Sequence, residues 1–151
     1  MLNIKKISVL AVLLFVLPVA CFAVPPTDAK YYQVYAYNET KLYVDTDSLK
    51  KISDRPHIIR FRLYTEESGE TLRQSKIDWG SDYDHEITEM LVDLKQEKVT
   101  LIKCITYRAD GKRIKVYDFR EPEVSTDLTP GSVIHRVVAN ILKWMEKNAN
   151  Q

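Results

Sequence analysis

Between Ser132 and about Met145, apolar residues recur at helical spacing: Ile134, Val137, Val138, Ile141, Leu142 and Met145, with Arg136, Asn140, Lys143 and Lys147 opposite. Such a stripe marks an amphipathic helix. A helix of this length is marginal alone in water. Burying its stripe contributes about 1.5–3 kcal/mol per large side chain, so the helix must lie on something. The rest of the chain offers strands to receive it. The expected fold is therefore α+β: an antiparallel β-sheet of about six strands with one C-terminal α-helix packed on one face. Trp144 would edge the helix–sheet contact. The helix begins either with Thr129 as cap and Pro130 at the first position, or with Ser132 as cap.

Upstream, the period changes to two. Tyr31 to Tyr37 is rich in Tyr and Val, Asn38-Glu39-Thr40 turns, and Lys41 to Asp45 returns, which predicts a hairpin. Asp45-Thr46-Asp47-Ser48 breaks the strand, because these side chains bond their own backbone in a turn or single helical turn. Pro56 opens the clearest strand, with Ile59, Phe61 and Leu63 on one face and Arg60 and Arg62 on the other. Ile87 to Leu94, Val99 to Tyr107 and Arg113 to Phe119 form a meander, its second turn marked by Ala109-Asp110-Gly111. In Val99 to Tyr107, plain alternation places Val99, Leu101 and Ile105 on one face and Ile102 and Cys104 on the other. A strand apolar on both faces is expected to be central, with its second face partly covered; a homodimer or the long connection would supply that cover. The connection itself, Thr65 to Glu86, reads as a long polar loop with a short strand extension at Thr71 to Ile77, and Phe119 to Thr129 as a polar loop.

The N-terminus specifies a destination. Lys5 and Lys6 precede an apolar run from Ile7 to Val19, and Cys21-Phe22-Ala23 closes it with small residues at the first and third positions. This is the grammar of a signal peptide, with cleavage expected after Ala23. The run is shorter than the roughly 20 residues of a spanning helix, which weighs against an uncleaved anchor. Acylation at Cys21 is disfavoured by Pro18, which stands where a lipobox takes Leu or Val. The chain then divides into a signal at 1–23, a leader at 24–30 and a domain at 31–147, exported to the periplasm or outer surface of a bacterium. Loss of two lysines and no acid turns the formal charge of +1 into −1. Such a balance gives no electrostatic case for nucleic acid, and no later apolar run could span a membrane. Cys104 is left as an unpaired cysteine, best read as a small buried apolar residue; an intermolecular disulfide or reactive thiol is the alternative.

No catalytic constellation is visible. His57, His85 and His135 lack partners at metal-ligand spacing, and no phosphate loop, nucleophile elbow or zinc helix occurs. Asp82, Asp84, His85 and Glu86 read as a solvated acidic loop, since the glycine and twelfth-position Glu of a calcium loop are missing. Asp45 and Asp47 fall in a turn, with nothing apolar to raise one pKa. The expectation is no enzyme, no cofactor and no metal. The candidate contact residues are aromatic: Trp79 and Tyr83 in the long connection, and Tyr35 and Tyr37 in the first hairpin, because aromatics are enriched at protein interfaces.

The order of these signals resembles a family. Leu42-Tyr43-Val44-Asp45-Thr46-Asp47-Ser48-Leu49 ends the first hairpin, Tyr107-Arg108-Ala109-Asp110-Gly111-Lys112 turns the meander, and Thr129-Pro130-Gly131-Ser132 starts the helix. From about Tyr31 to Trp144 the chain is similar to the surface-adhesin protein E-like family of small exported bacterial proteins. The resemblance implies an antiparallel sheet with the terminal helix on its concave face, dimerisation, and, for the founding member, adhesion to host matrix proteins. Family members carry a Cys near Val92-Asp93-Leu94 and another near the end of the helix; this chain has neither, so apolar packing must replace about 2–4 kcal/mol of staple. The functional expectation is an exported binding module, adhesin-like, that contacts a host matrix or envelope protein. The alternative is an accessory component that binds another bacterial envelope protein. A small-molecule binder would need a pocket between helix and sheet.

Overall fold

A computed structural model describes residues 30–119 and 124–149. The signal peptide, its cleavage site and nearly all of the leader lie outside the described residues. The elements run β1 (Tyr31–Tyr37), β2 (Thr40–Asp45), a 3-10 turn (Thr46–Ser48), β3 (Lys50–Ile52), β4 (Arg55–Glu67), α1 (Gly69–Trp79), β5 (Tyr83–Asp93), β6 (Lys98–Arg108), β7 (Arg113–Asp118), β8 (Val124–Asp127) and α2 (Val133–Asn148). One antiparallel sheet has the order β1-β2-β4-β5-β6-β7; the short β3 pairs with β4 and the short β8 with β6. The α+β class and the terminal helix are as the hydropathy pattern requires.

Three short motifs build the turns. Asp45 accepts from the Asp47 N–H at 3.2 Å and pairs with Arg62 at 2.9 Å. Ser48 Oγ donates to the Asp45 carbonyl at 2.6 Å and accepts from the Arg62 N–H at 2.8 Å. The Tyr43-to-Leu49 motif therefore ties the 3-10 turn to β4. Gly111 turns the β6–β7 hairpin at φ +77°, where a side chain would be strained. Ser132 is the helix cap: its Oγ accepts from the His135 N–H at 3.2 Å.

Helix α2 buries Val137, Val138 and Ile141 against Val34, Val44, Ile59, Phe61, Leu63, Val92 and Val99. Trp144 meets Tyr32 of β1 with ring centroids 6.3 Å apart. The expected faces of β4 hold, with Ile59, Phe61 and Leu63 toward the helix and Arg60 and Arg62 away.

Three readings are corrected. First, there are two helices. The connection expected to be a loop with a strand extension is the end of β4, helix α1 and the start of β5. Helix α1 has no fully buried residue and gets its cap from elsewhere: Glu39, in the β1–β2 turn, accepts from the Thr71 N–H at 2.8 Å and from Thr71 Oγ1 at 3.1 Å. Second, the segment after Phe119 contains β8, so it is not wholly loop. Third, the faces of β6 are not those of plain alternation. Glu89 pairs with Lys103 and Met90 with Leu101, which leaves Ile102 as an extra, bulged residue. The bulge resets the parity. Val99, Leu101, Cys104 and Thr106 face the helices, while Thr100, Lys103, Ile105 and Tyr107 face away.

Candidate functional site

The sheet has a helix-bearing face and a face that no described element covers. On the open face, strand register sets residues side by side. One row runs Tyr43, Tyr64, Ile87, Ile105, Val116 across β2, β4, β5, β6 and β7. Beside it runs a charged row of alternating sign: Arg62, Glu89, Lys103, Asp118. Arg60 reaches across to Glu89 at 2.6 Å. On the other side, rings make a continuous chain. Tyr31 and Tyr43 meet Tyr64 edge-on at 5.8 and 6.1 Å; Tyr64 stacks on His85 at 4.7 Å, and His85 on Tyr107 at 5.0 Å. His85 Nδ1 lies 2.8 Å from Asp84, which fixes the ring. Burial, and then the nearby Asp84 and Glu66 carboxylates, push the Tyr64 phenol well above its ordinary range, so it stays neutral.

Chemically, this is a pre-ordered apolar and aromatic strip with charged margins. Tyr43 and Tyr64 are buried, Ile87, Ile105 and Tyr107 are half-buried and Val116 is exposed. Aromatic rings already packed together lose little entropy on binding, which is why they serve as interface anchors. None of the strip was named from the sequence except through the general Tyr content of the first hairpin. The missing signal was register, which a single strand does not carry.

The four aromatics expected to make contact do not gather. Tyr37 is exposed at the end of β1, and Tyr35 is half-buried against the core. Trp79, 36% exposed at the end of α1, packs edge-on to Tyr117 of β7 at 5.7 Å, and Tyr117 stacks on Phe119 at 6.2 Å. Tyr117 is the register partner of Cys104, so α1 ends over the helix-bearing face. Tyr83 is a core residue, 2% exposed, and faces Glu67 and Glu86. Of the acidic loop, Asp84, His85 and Glu86 lie in β5, where His85 and Glu86 point to opposite faces, so they cannot share a cation. Among the described residues no group of three His, Cys, Asp or Glu side chains is arranged to hold a metal. No described helix is long and apolar enough to cross a membrane.

On the helix-bearing face, Cys104 is half-buried, and its thiol donates to Glu86 Oε2 at 3.6 Å. Burial and the neighbouring Glu86 carboxylate push that thiol up to about 11, so it is not a reactive thiolate at neutral pH. Burial also raises the pKa of Glu86, as does Glu67 beside it.

The architecture defines a class: a single antiparallel sheet with its helices on one face and the other face free. Solved structures of Haemophilus influenzae protein E are similar in fold. One matches at 16% identity and a TM-score of 0.54, covering 82% of this chain and 90% of that one. Protein E from non-typeable Haemophilus influenzae matches at 13% and 0.53, covering 82% and 84%; a second crystal form matches at 15% and 0.51, covering 77% and 94%. This chain has a protein E-like fold. No family model matches the sequence, and it has no significant match among curated proteins.

Proposed function

We propose that this chain is an exported, non-enzymatic binding module that docks a protein partner on the open sheet face, in the adhesin-like manner implied by the family resemblance. The observation that carries the reading is the row Tyr43–Tyr64–Ile87–Ile105–Val116, apolar across five strands: Tyr43 and Tyr64 are buried at one end, and Ile87, Ile105 and Val116 reach solvent at the other. Six strands at ~4.8 Å and about nine residues at ~3.4 Å give a whole face, charged margins included, of roughly 900 Å². A standard interface uses about 800 Å² per partner. The alternating charges beside the row suit a partner with the complementary order and fix its register.

The test places lysine in the row. The double change Ile105→Lys and Val116→Lys alters only side chains that already touch solvent. It should abolish capture of host matrix proteins by the purified protein and leave the melting temperature within a few degrees. Trp79→Ala, on the far face, should leave capture unchanged. Loss of capture with Trp79→Ala but not with the lysine pair would move the contact to α1 and sink this reading. Capture of a bacterial envelope protein through the same row would favour the accessory role.

A further inference from the structure

Alternation along β5 sends Glu86, Thr88, Met90 and Val92 to the helix-bearing face. A glutamate is out of place in that series, because a carboxylate there must shed water. The groups that touch it are Cys104, Thr88 and Thr65, all neutral, and the nearest charge is another acid, Glu67. Its hydrogen bonds are long: 3.4 Å from Thr88 Oγ1 and 3.6 Å from the Cys104 thiol. Among the described residues neither Glu86 nor Glu67 has a cationic partner. Thr106, the register partner of Glu86, is wholly buried with its hydroxyl unpartnered, and Glu67 Oε2 is likewise buried and unpartnered.

Glu86 forms part of the wall of a cleft of about 460 Å³ between the start of α2 and the sheet. Leu42, Leu63 and Met90 make its floor, and Ile134 and Val137 its roof, with Val133 at the mouth. The volume falls in the range of small-molecule clefts, roughly 300–1,000 Å³, and the design of apolar walls with one placed polar group is the usual one. The helix–sheet seam is thus not fully packed.

We propose that this cleft is a ligand site for a small amphiphilic amine, whose ammonium group pairs with Glu86 and whose apolar chain lies between Ile134, Val137 and the floor. An ammonium would supply the positive charge that Glu86 lacks and donors for the lone pairs its two weak hydrogen bonds leave over. The apolar chain would displace water from Leu42, Leu63 and Met90.

Three probes of equal chain length separate charge recognition from simple apolar uptake: octylammonium, octanol and octanoate, each titrated into the purified protein by calorimetry and amide NMR. Octylammonium should bind saturably, with shifts centred on Glu86, Thr88, Ile134 and Val137. Octanol should bind about tenfold more weakly or worse, in line with the strength of hydrogen bonds to charged groups, and octanoate weaker still. Glu86→Gln should bring octylammonium down to the level of octanol and leave octanol unchanged. Val133→Trp, at an exposed mouth position, should weaken both. Equal affinity for all three probes, no binding of any, or an unaltered octylammonium affinity in Glu86→Gln would overturn the proposal. The comparison of probes on the unaltered protein stands even if a variant misfolds.

Discussion

Asn140 lies on the polar side of the helical stripe, where its loss should matter little, yet the structure gives it a job. Strand β1 bulges at Val34: Gln33 pairs with Tyr43 and Tyr35 with Leu42, which leaves Val34 outside the ladder. The Val34 carbonyl accepts instead from Asn140 Nδ2 at 2.8 Å, while Val34 itself is 2% exposed. Asn140→Ala removes the donor and leaves this part-buried carbonyl without its partner. A buried acceptor stripped of its partner costs about 1–3 kcal/mol. For a domain of this size, 1 kcal/mol moves the melting temperature by roughly 3–5 °C. Asn140→Ala should therefore lower it by about 4–12 °C by calorimetry or circular dichroism, with a matching fall in urea midpoint. Lys143→Ala, an exposed change on the same helix, should stay within about 0.5 kcal/mol. Asn140→Asp should cost at least as much as alanine, because an acceptor would face an acceptor. Amide exchange in β1 should accelerate before that in β4. If Asn140→Ala melts within about 0.5 kcal/mol of the parent, or Lys143→Ala costs as much, the bond does not hold the edge strand to the helix.

Two pH effects of opposite sign follow from buried and capping acids. Glu86 has its folded pKa raised by burial and by Glu67, so the folded state holds its proton longer; stability from this group is greatest in acid and falls as pH rises from the ordinary glutamate range through the raised value. The difference in urea midpoint between Glu86→Gln and the parent should be small at pH 4 and favour the variant near pH 8; a difference that is flat with pH would refute this. Glu39 has its folded pKa lowered, chiefly by the Thr71 and Glu70 backbone N–H groups, so its cap on α1 is present above the ordinary glutamate range and lost as pH falls through the lowered value. Acidification and Glu39→Ala should each speed amide exchange at Thr71 and Leu72, read by NMR; unchanged exchange in the variant would show that α1 does not depend on this cap.

Local chemistry wrote much of this fold into the chain. The stripe from Ile134 to Met145, the glycine turn at Gly111 and the alternation of Ile59, Phe61 and Leu63 each depend on residues a few positions apart, so each is legible without the rest of the molecule; the choice of Ser132 over Thr129 as cap is not. Helix α1 is not, because its stripe is weak and its cap comes from Glu39, more than thirty positions earlier. Nor are the faces of β6, since one bulged residue at Ile102 inverts the parity beyond it. The open-face row needs five strands in register before Tyr43, Tyr64, Ile87, Ile105 and Val116 become neighbours. Glu86 looks like one acid among several in a solvated run; only pairing on both sides of β5 turns it inward beneath the helix. Hydrogen-bonded turns and helical periods are short-range and set by the sequence itself, whereas register and burial are relations between distant segments, and these the assembled sheet alone decides.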